Sequence, residues 1–355
     1  MEIRRKWKPP SREEWKALYQ AAISFRKLEC WNYMQIDDIF GIEDPLSGEI
    51  AFCTILGSEE EYFGLAAYMG HGGLFLLNYL ISGTEKALEE TDIYEGRNLI
   101  CSFEPWDNLL IEEQIQAESF NPKLREDPLC PGFISYEPGY IPYSLSQEEC
   151  QLMTKILAQT LPIARKLKQD PQYLRSGPRD QILVRRVYSK NQHNTPLWKN
   201  VWKPFPAFFP LYPVIHIHDP QIKKRLYHYP IEEGMEWEID FHLMPFVVEE
   251  GYKPYYPRTL FIADRLTGLV MEPAICNDIE APEKKLLQHL IKLIDQQSSR
   301  PSAIYVKNIS THHLMSMVSS ELGIQLIRTS SLPILDEAKK ALLKTISRYR
   351  SSMVH

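Results

Sequence analysis

The sequence predicts an α+β N-terminal domain followed by an α/β C-terminal domain. Three observations predict it. The 355 residues exceed what one compact domain usually holds. The first half mixes strand patterns with capped helices. Beyond residue 280 helix and strand alternate, which implies an α/β layer with some parallel strands.

In the first half, Ser11 with Glu14 has capping-box spacing. Trp15, Leu18, Tyr19, Ala22, Phe25 and Leu28 then recur at helical steps. Asp44-Pro45 and Ser47-Gly48 mark turns. Ile50 to Leu56 and Phe63 to Met69 read as a hairpin around the Gly57 to Glu61 loop. Gly70 to Gly73 lead into an apolar helix to about Leu88, and Asn98 to Phe103 read as a strand. Residues 104 to 145, rich in proline and aromatics, take no assignment. Ser146 with Glu149 opens a second capped helix, to about Lys168.

Two prolines and a glycine between Gln169 and Pro178 place the domain boundary there, giving domains 1–172 and 173–355. The second is strand-rich over 181–272: Gln181 to Tyr188, Leu211 to His218, Glu236 to Met244, Arg258 to Ala263 and Leu269 to Glu272. Over 280–350 helices at Glu283 to Gln297, His312 to Leu322 and Leu335 to Tyr349 alternate with strands at Ala303 to Val306 and Ile324 to Ile327.

The hydrophobic fraction of 44% and charged fraction of 24% suit a globular chain with a real core. A net charge of −6 argues against whole-surface attraction to nucleic acid or anionic membrane, though not against a local basic patch. Six dispersed cysteines without a C-x-x-C pair suggest reduced, buried thiols. No secretory signal pattern is present. The longest apolar stretch, Leu74 to Ile81, is too short to cross a bilayer. The expectation is cytoplasm, with no membrane partner.

Several stretches resemble an uncharacterised bacterial two-domain family that carries only a domain-of-unknown-function label. They are Asp44-Pro45 with Ser47-Gly48-Glu49, and Tyr136-Glu137-Pro138-Gly139-Tyr140-Ile141-Pro142-Tyr143. Further on come Tyr255-Tyr256-Pro257, Asp264 with Thr267-Gly268-Leu269, and Leu332-Pro333-Ile334-Leu335-Asp336-Glu337-Ala338. The resemblance implies bacterial origin and two domains, and no reaction. Residues 257 to 350 are also similar to ribonuclease H and retroviral-type integrase folds. That resemblance implies carboxylates on the first strand, after a later strand and on the last helix, binding two metals for phosphodiester chemistry. Asp264 takes the first place and Glu337 or Asp336 the last. The middle place falls near Lys307-Asn308, where the carboxylate is missing and a lysine repels metal. Alternatively, Asp264 simply opens a turn with Gly268.

Other polar groups are candidate sites. His216 and His218 share one face of a strand. Glu236, Glu238, Asp240 and His242 share another, opposite Trp237, Ile239 and Phe241. If those strands are neighbours, His216, His218, Asp240 and His242 form a nitrogen and oxygen site for a divalent metal. A half-buried strand with a solvated face gives the same alternation. Gly70-His71-Gly72-Gly73 suits an oxyanion at a helix start, or a sharp strand-to-helix turn. Arg165 to Lys203 interleaves basic residues with Trp198 and Trp202. Arg185 and Arg186 are its candidate nucleic-acid contacts, against the alternative of a basic linker.

No complete catalytic constellation emerges, so the biochemical function stays unknown. The leading expectation is a non-catalytic or catalytically degenerate intracellular binding protein for protein or nucleic acid. The competing class is a metal-dependent phosphodiesterase. A divalent metal cofactor is implied only in that second case.

Overall fold

The computed structural model describes residues 8–57, 63–82, 92–190, 192, 195–205, 213–249, 253–276 and 282–353. The chain forms two compact units, the first reaching Phe209 and the second starting at Pro210, which also takes in Glu89–Asp92. Residues 58–61 of the Gly57 to Glu61 loop, the helix tail toward Leu88 and much of the Trp202 to Tyr212 run lie outside the described residues.

In the first unit, helix α1 (Arg12–Arg26) begins as its capping box requires. The Ser11 hydroxyl accepts the Glu14 N–H at 3.2 Å, and the Glu14 carboxylate accepts the Ser11 N–H at 2.7 Å. The unassigned middle region supplies helix α3 (Ile111–Phe120) and a strand. Helix α4 (Gln147–Gln169) starts on the Ser146–Glu149 box in the same way. Leu18, Tyr19, Ala22 and Phe25 of α1 and Met153, Ile156, Leu157 and Ile163 of α4 share one core. Each of the Leu, Ile, Met and Phe side chains among them, fully buried, contributes roughly 1.5–3 kcal/mol.

The strands are β1 (Phe40–Glu43), β2 (Ile50–Leu56), β3 (Phe63–Met69), β4 (Arg97–Glu104), β5 (Cys130–Tyr136), β6 (Gln181–Lys190) and β7 (Pro196–Pro204). They form one sheet in the order β5-β4-β3-β2-β1-β6-β7. Alternation divides its faces. Cys53, Ile55, Leu65, Ala67 and Leu99 face α1 and α4, whereas Phe52, Ala66 and Tyr68 meet Leu74, Leu76 and Leu77 of helix α2 (Gly70–Ser82). Gly64 permits close approach of β3 and β4, because a Cβ there would sit 2.2 Å from the Cys101 carbonyl oxygen.

The boundary expected at 169–178 falls inside this unit. β1 pairs in parallel with β6, Gly41 opposite Val184, and β6 pairs with β7. The Pro171 and Pro178 segment connects α4 to the sheet and is not a linker between domains. The four glycine-rich residues from Gly70 are already the first turn of α2, so they form no loop.

The second unit contains α5 (Pro220–His228), β8 (Ile231–Leu243), β9 (Arg258–Asp264), β10 (Ala274–Cys276), α6 (Pro282–Gln297), β11 (Arg300–Val306), α7 (Ile309–Leu322), β12 (Gln325–Arg328) and α8 (Pro333–Met353). Its sheet has the order β10-β9-β8-β11-β12. The first three strands are antiparallel, and β8, β11 and β12 run parallel. The expected strand over 211–218 is absent from its described part, 213–218, and the expected Leu269–Glu272 strand is reduced to a bridge between Val270 and Ala263. Trp237, Ile239, Phe241, Leu260 and Ile262 face α5, α6 and α7. Phe261 and Ala263 face Leu335 of α8.

Candidate functional site: the polar face of the second sheet and an open groove on the first unit

The alternation of β8 is as expected, but its polar face is not solvated. Glu238, Asp240 and His242 are buried, between 0% and 7% exposed, where α8 crosses β8 and β9. Two devices hold the helix there. The Glu238 carboxylate accepts the N–H groups of Ile334 and Leu335, both at 3.1 Å, so an anion sits at the positive end of the helix dipole. One turn later Lys339 donates to Asp240, and His242 Nδ1 lies 3.3 Å from the same carboxylate oxygen.

These surroundings move the two carboxyls in opposite directions. Burial pushes Glu238 above the usual carboxylate range, against the opposing bonds from α8 and the charge of Arg265. Burial also disfavours charge on Asp240, but His242 and Lys339 together outweigh it and hold that carboxyl well below its ordinary value. The Asp240 carboxylate is thus paired inside the fold with Lys339 and His242. Glu238 Oε1 and Thr259 Oγ1 are buried without a hydrogen-bond partner among the described residues.

The other sequence candidates are dispersed. Asp264 Oδ1 accepts from Thr267 N at 2.7 Å, Thr267 Oγ1 at 2.8 Å and Leu266 N at 3.1 Å, closing a turn in which Gly268 has φ +72°. Strand alternation puts Asp264 on the face of Leu260 and Ile262, whereas exposed Glu337 is on α8 at the opposite face. His216 and His218 pair with each other, ring centroids 5.7 Å apart. They flank Ile217, whose N–H donates to Glu321 of α7. They belong to the α7 side of the sheet, and Asp240 with His242 to the α8 side. Among the described residues no group of three or more His, Cys, Asp or Glu is placed to hold a metal.

Arg185 donates to Gln159 at 2.8 Å and to Asn200 at 3.0 Å. Arg186 lies 3.1 Å from Glu43, which also accepts from Lys203. Both arginines thus tie β6 to its neighbours. All six cysteines are buried outside any disulfide, and burial pushes Cys30, Cys130 and Cys150 up to about 12.

Sequence reasoning missed a groove of about 600 Å³ between α1 and α3. Trp15 and Phe120 line it with Arg12, Lys16 and Ser119. Beside it Leu110, Ile111 and Ile115 are 51%, 71% and 63% exposed, the two isoleucines one helical turn apart. The available signal was the apolar pair Leu109-Leu110 and the Ile111–Ile115 spacing, hidden inside the unassigned region. No helix among the described residues is long and apolar enough to cross a membrane.

Comparison with known proteins finds two matches. Residues 15–185 match the model of a domain of unknown function (DUF7309), and residues 222–343 match that of a second domain of unknown function (DUF6930). No curated protein matches the chain. The chain thus joins two distinct uncharacterised domains, one in each half, in a two-domain protein of unknown function.

Proposed function

We propose that this is a non-catalytic binding protein that receives a partner protein on its α1–α3 face. The observation that carries this reading is the uncovered stripe of Leu110, Ile111 and Ile115 beside the Trp15–Phe120 groove. Clustered exposed large apolar side chains mark interaction sites more than singly scattered ones do. Arg12 and Lys16 on the rim outnumber Glu13 and have no ion pair among the described residues, so the fitting partner offers an apolar face edged with carboxylates.

The second domain fits a catalytically degenerate ribonuclease-H-like scaffold. Its three antiparallel strands, two further parallel strands and interleaved helices support that reading. In that order β8 is the first strand, so the place of the first carboxylate passes from Asp264 to Asp240. Lys339 and His242 already neutralise that group, which leaves the metal-dependent phosphodiesterase as the weaker alternative. Nucleic acid is likewise the weaker partner, because Arg185 and Arg186 are engaged within the fold. Buried thiols outside any disulfide and the family resemblance favour the bacterial cytoplasm.

The test is a photo-cross-linking residue placed at Ile115, and at Leu46 as an exposed control, in cells making the full chain. A discrete cross-linked protein adduct from Ile115, lost on adding Lys16→Glu and absent at Leu46, is expected. Identical patterns from both positions would refute the reading.

A further inference from the structure

The first unit contains a second, smaller cleft of about 200 Å³, lined by Asp37, Asp38, Arg175, Gln181, Trp202 and Phe205 among others. Asp38 is 5% exposed, and its Oδ2 accepts the Gln35 N–H at 2.9 Å. Its Oδ1 is buried and makes no hydrogen bond among the described residues. The group nearest in charge is the Arg175 guanidinium, which stands 3.4 Å from Oδ1 of Asp38 and 3.4 Å from Oδ1 of Asp37. Charge-assisted bonds between such groups normally close to about 2.7–2.9 Å. One half-exposed guanidinium therefore spreads over two carboxylates, with a long hydrogen bond to Asp37 and only an ion-pair approach to Asp38. The charged groups lining the cleft sum to one uncompensated negative charge.

Its walls suit a cation as well. Trp202 is pressed onto the backbone of Gly177, where a Cβ would meet the indole at 2.2 Å, so the ring is fixed in place. Phe205 is held by its N–H bond to the Asp180 carbonyl at 2.8 Å. Aromatic faces attract ammonium and guanidinium groups, more strongly away from water. A buried carboxylate lacking a full counter-charge gains from any cation that reaches it.

We propose that this cleft binds one organic cation of the guanidinium or alkylammonium type. The ligand takes the place of Arg175 over Asp38, with Trp202 and Phe205 as its apolar wall. Arg175 then swings toward solvent, where half of its side chain already lies. The volume admits the head and a short stem of such a group, and excludes a drug-sized molecule.

The test is titration of the full chain with methylguanidinium, and with methylurea as the neutral isostere. The readout is the indole N–H resonance of Trp202, assigned by its loss in Trp202→Phe. A saturable shift with methylguanidinium alone is expected. Arg175→Gln, which removes the resident competitor from an exposed position, tightens binding about fivefold. Asp38→Asn abolishes it. A parallel arm with an acetylated, amidated arginine tripeptide identifies the source: tighter binding than methylguanidinium means a partner's side chain, equal or weaker binding a free small cation. No saturable shift in either the parent or Arg175→Gln overturns the proposal, as does equal affinity in both. If Asp38→Asn does not fold, the Arg175→Gln comparison decides alone.

Discussion

Replacing Lys339 by Met tests what holds α8 on the second sheet. Lys339 is 11% exposed and Asp240 5%, so the substitution leaves a buried carboxylate facing His242 as its remaining nearby partner. Removing one member of a buried ion pair costs about 3–5 kcal/mol, because the survivor keeps its desolvation cost without its partner. His242 retains part of the compensation, which places the expected cost near the lower end, about 3 kcal/mol. Two-domain unfolding does not yield a single free energy, so the assay is hydrogen exchange read by mass spectrometry on separate peptides. Peptides covering β8 and the start of α8 lose protection by about 100-fold, the equivalent of about 3 kcal/mol, whereas those covering β2 and β3 do not change. Combining Lys339→Met with Asp240→Leu restores most of the protection, since the stranded charge is gone. A loss below about fivefold in the single variant would mean that apolar contacts of Leu335 and Leu342 hold the helix.

Two further outcomes follow from the same structure. Glu238 has a raised folded-state pKa, so the folded domain binds more protons than the unfolded chain above the unfolded value of about 4.3, and stability falls as pH rises through that window. Glu238→Gln removes this fall. In hydrogen exchange of peptides covering β8 and α8, compared at each pH, its advantage over the parent grows as pH rises above about 4.3, and a constant difference contradicts the argument. Asp240, with a lowered folded-state pKa, loses its stabilisation only as pH drops below the unfolded value of about 3.9, and so contributes a constant over that range. In the first unit, a fragment ending at residue 209 keeps β6 and β7 and unfolds cooperatively, whereas one ending at residue 172 bares the edge of β1 and aggregates. Equal cooperativity in the two fragments would show that β6 and β7 are accessory.

What was legible in the sequence was local. The capping boxes at Ser11 and Ser146 place the starts of α1 and α4, because cap chemistry acts within three residues. Period-two alternation separates Trp237, Ile239 and Phe241 from Glu238, Asp240 and His242. What covers the polar face was not legible, since Lys339 lies about 100 residues later and its reach to Asp240 is a tertiary fact. The expected domain boundary failed for the same reason. Pro171, Gly177 and Pro178 mark a break in local structure, and the parallel pairing of β6 with β1 that spans it leaves no local signature. Asp264 illustrates the converse case: its turn role was readable from Thr267 and Gly268 nearby, and the structure places it there.

The parallel junction of β1 and β6 also orders events in time. β1 ends at Glu43 and its partner begins at Gln181, so about 140 residues must be synthesised between them. At roughly 5–20 residues per second, the Ile42 side of β1 leaves the ribosome about 7–28 s before its neighbour exists. Only in the last third of that interval is the meander from β1 to β5 complete, and its outer strand then still has an unpaired edge. Nascent-chain chaperones thus have a defined target at Phe40–Glu43, and synonymous codon changes that slow translation between residues 140 and 180 lengthen the exposure without altering a single contact of the finished fold.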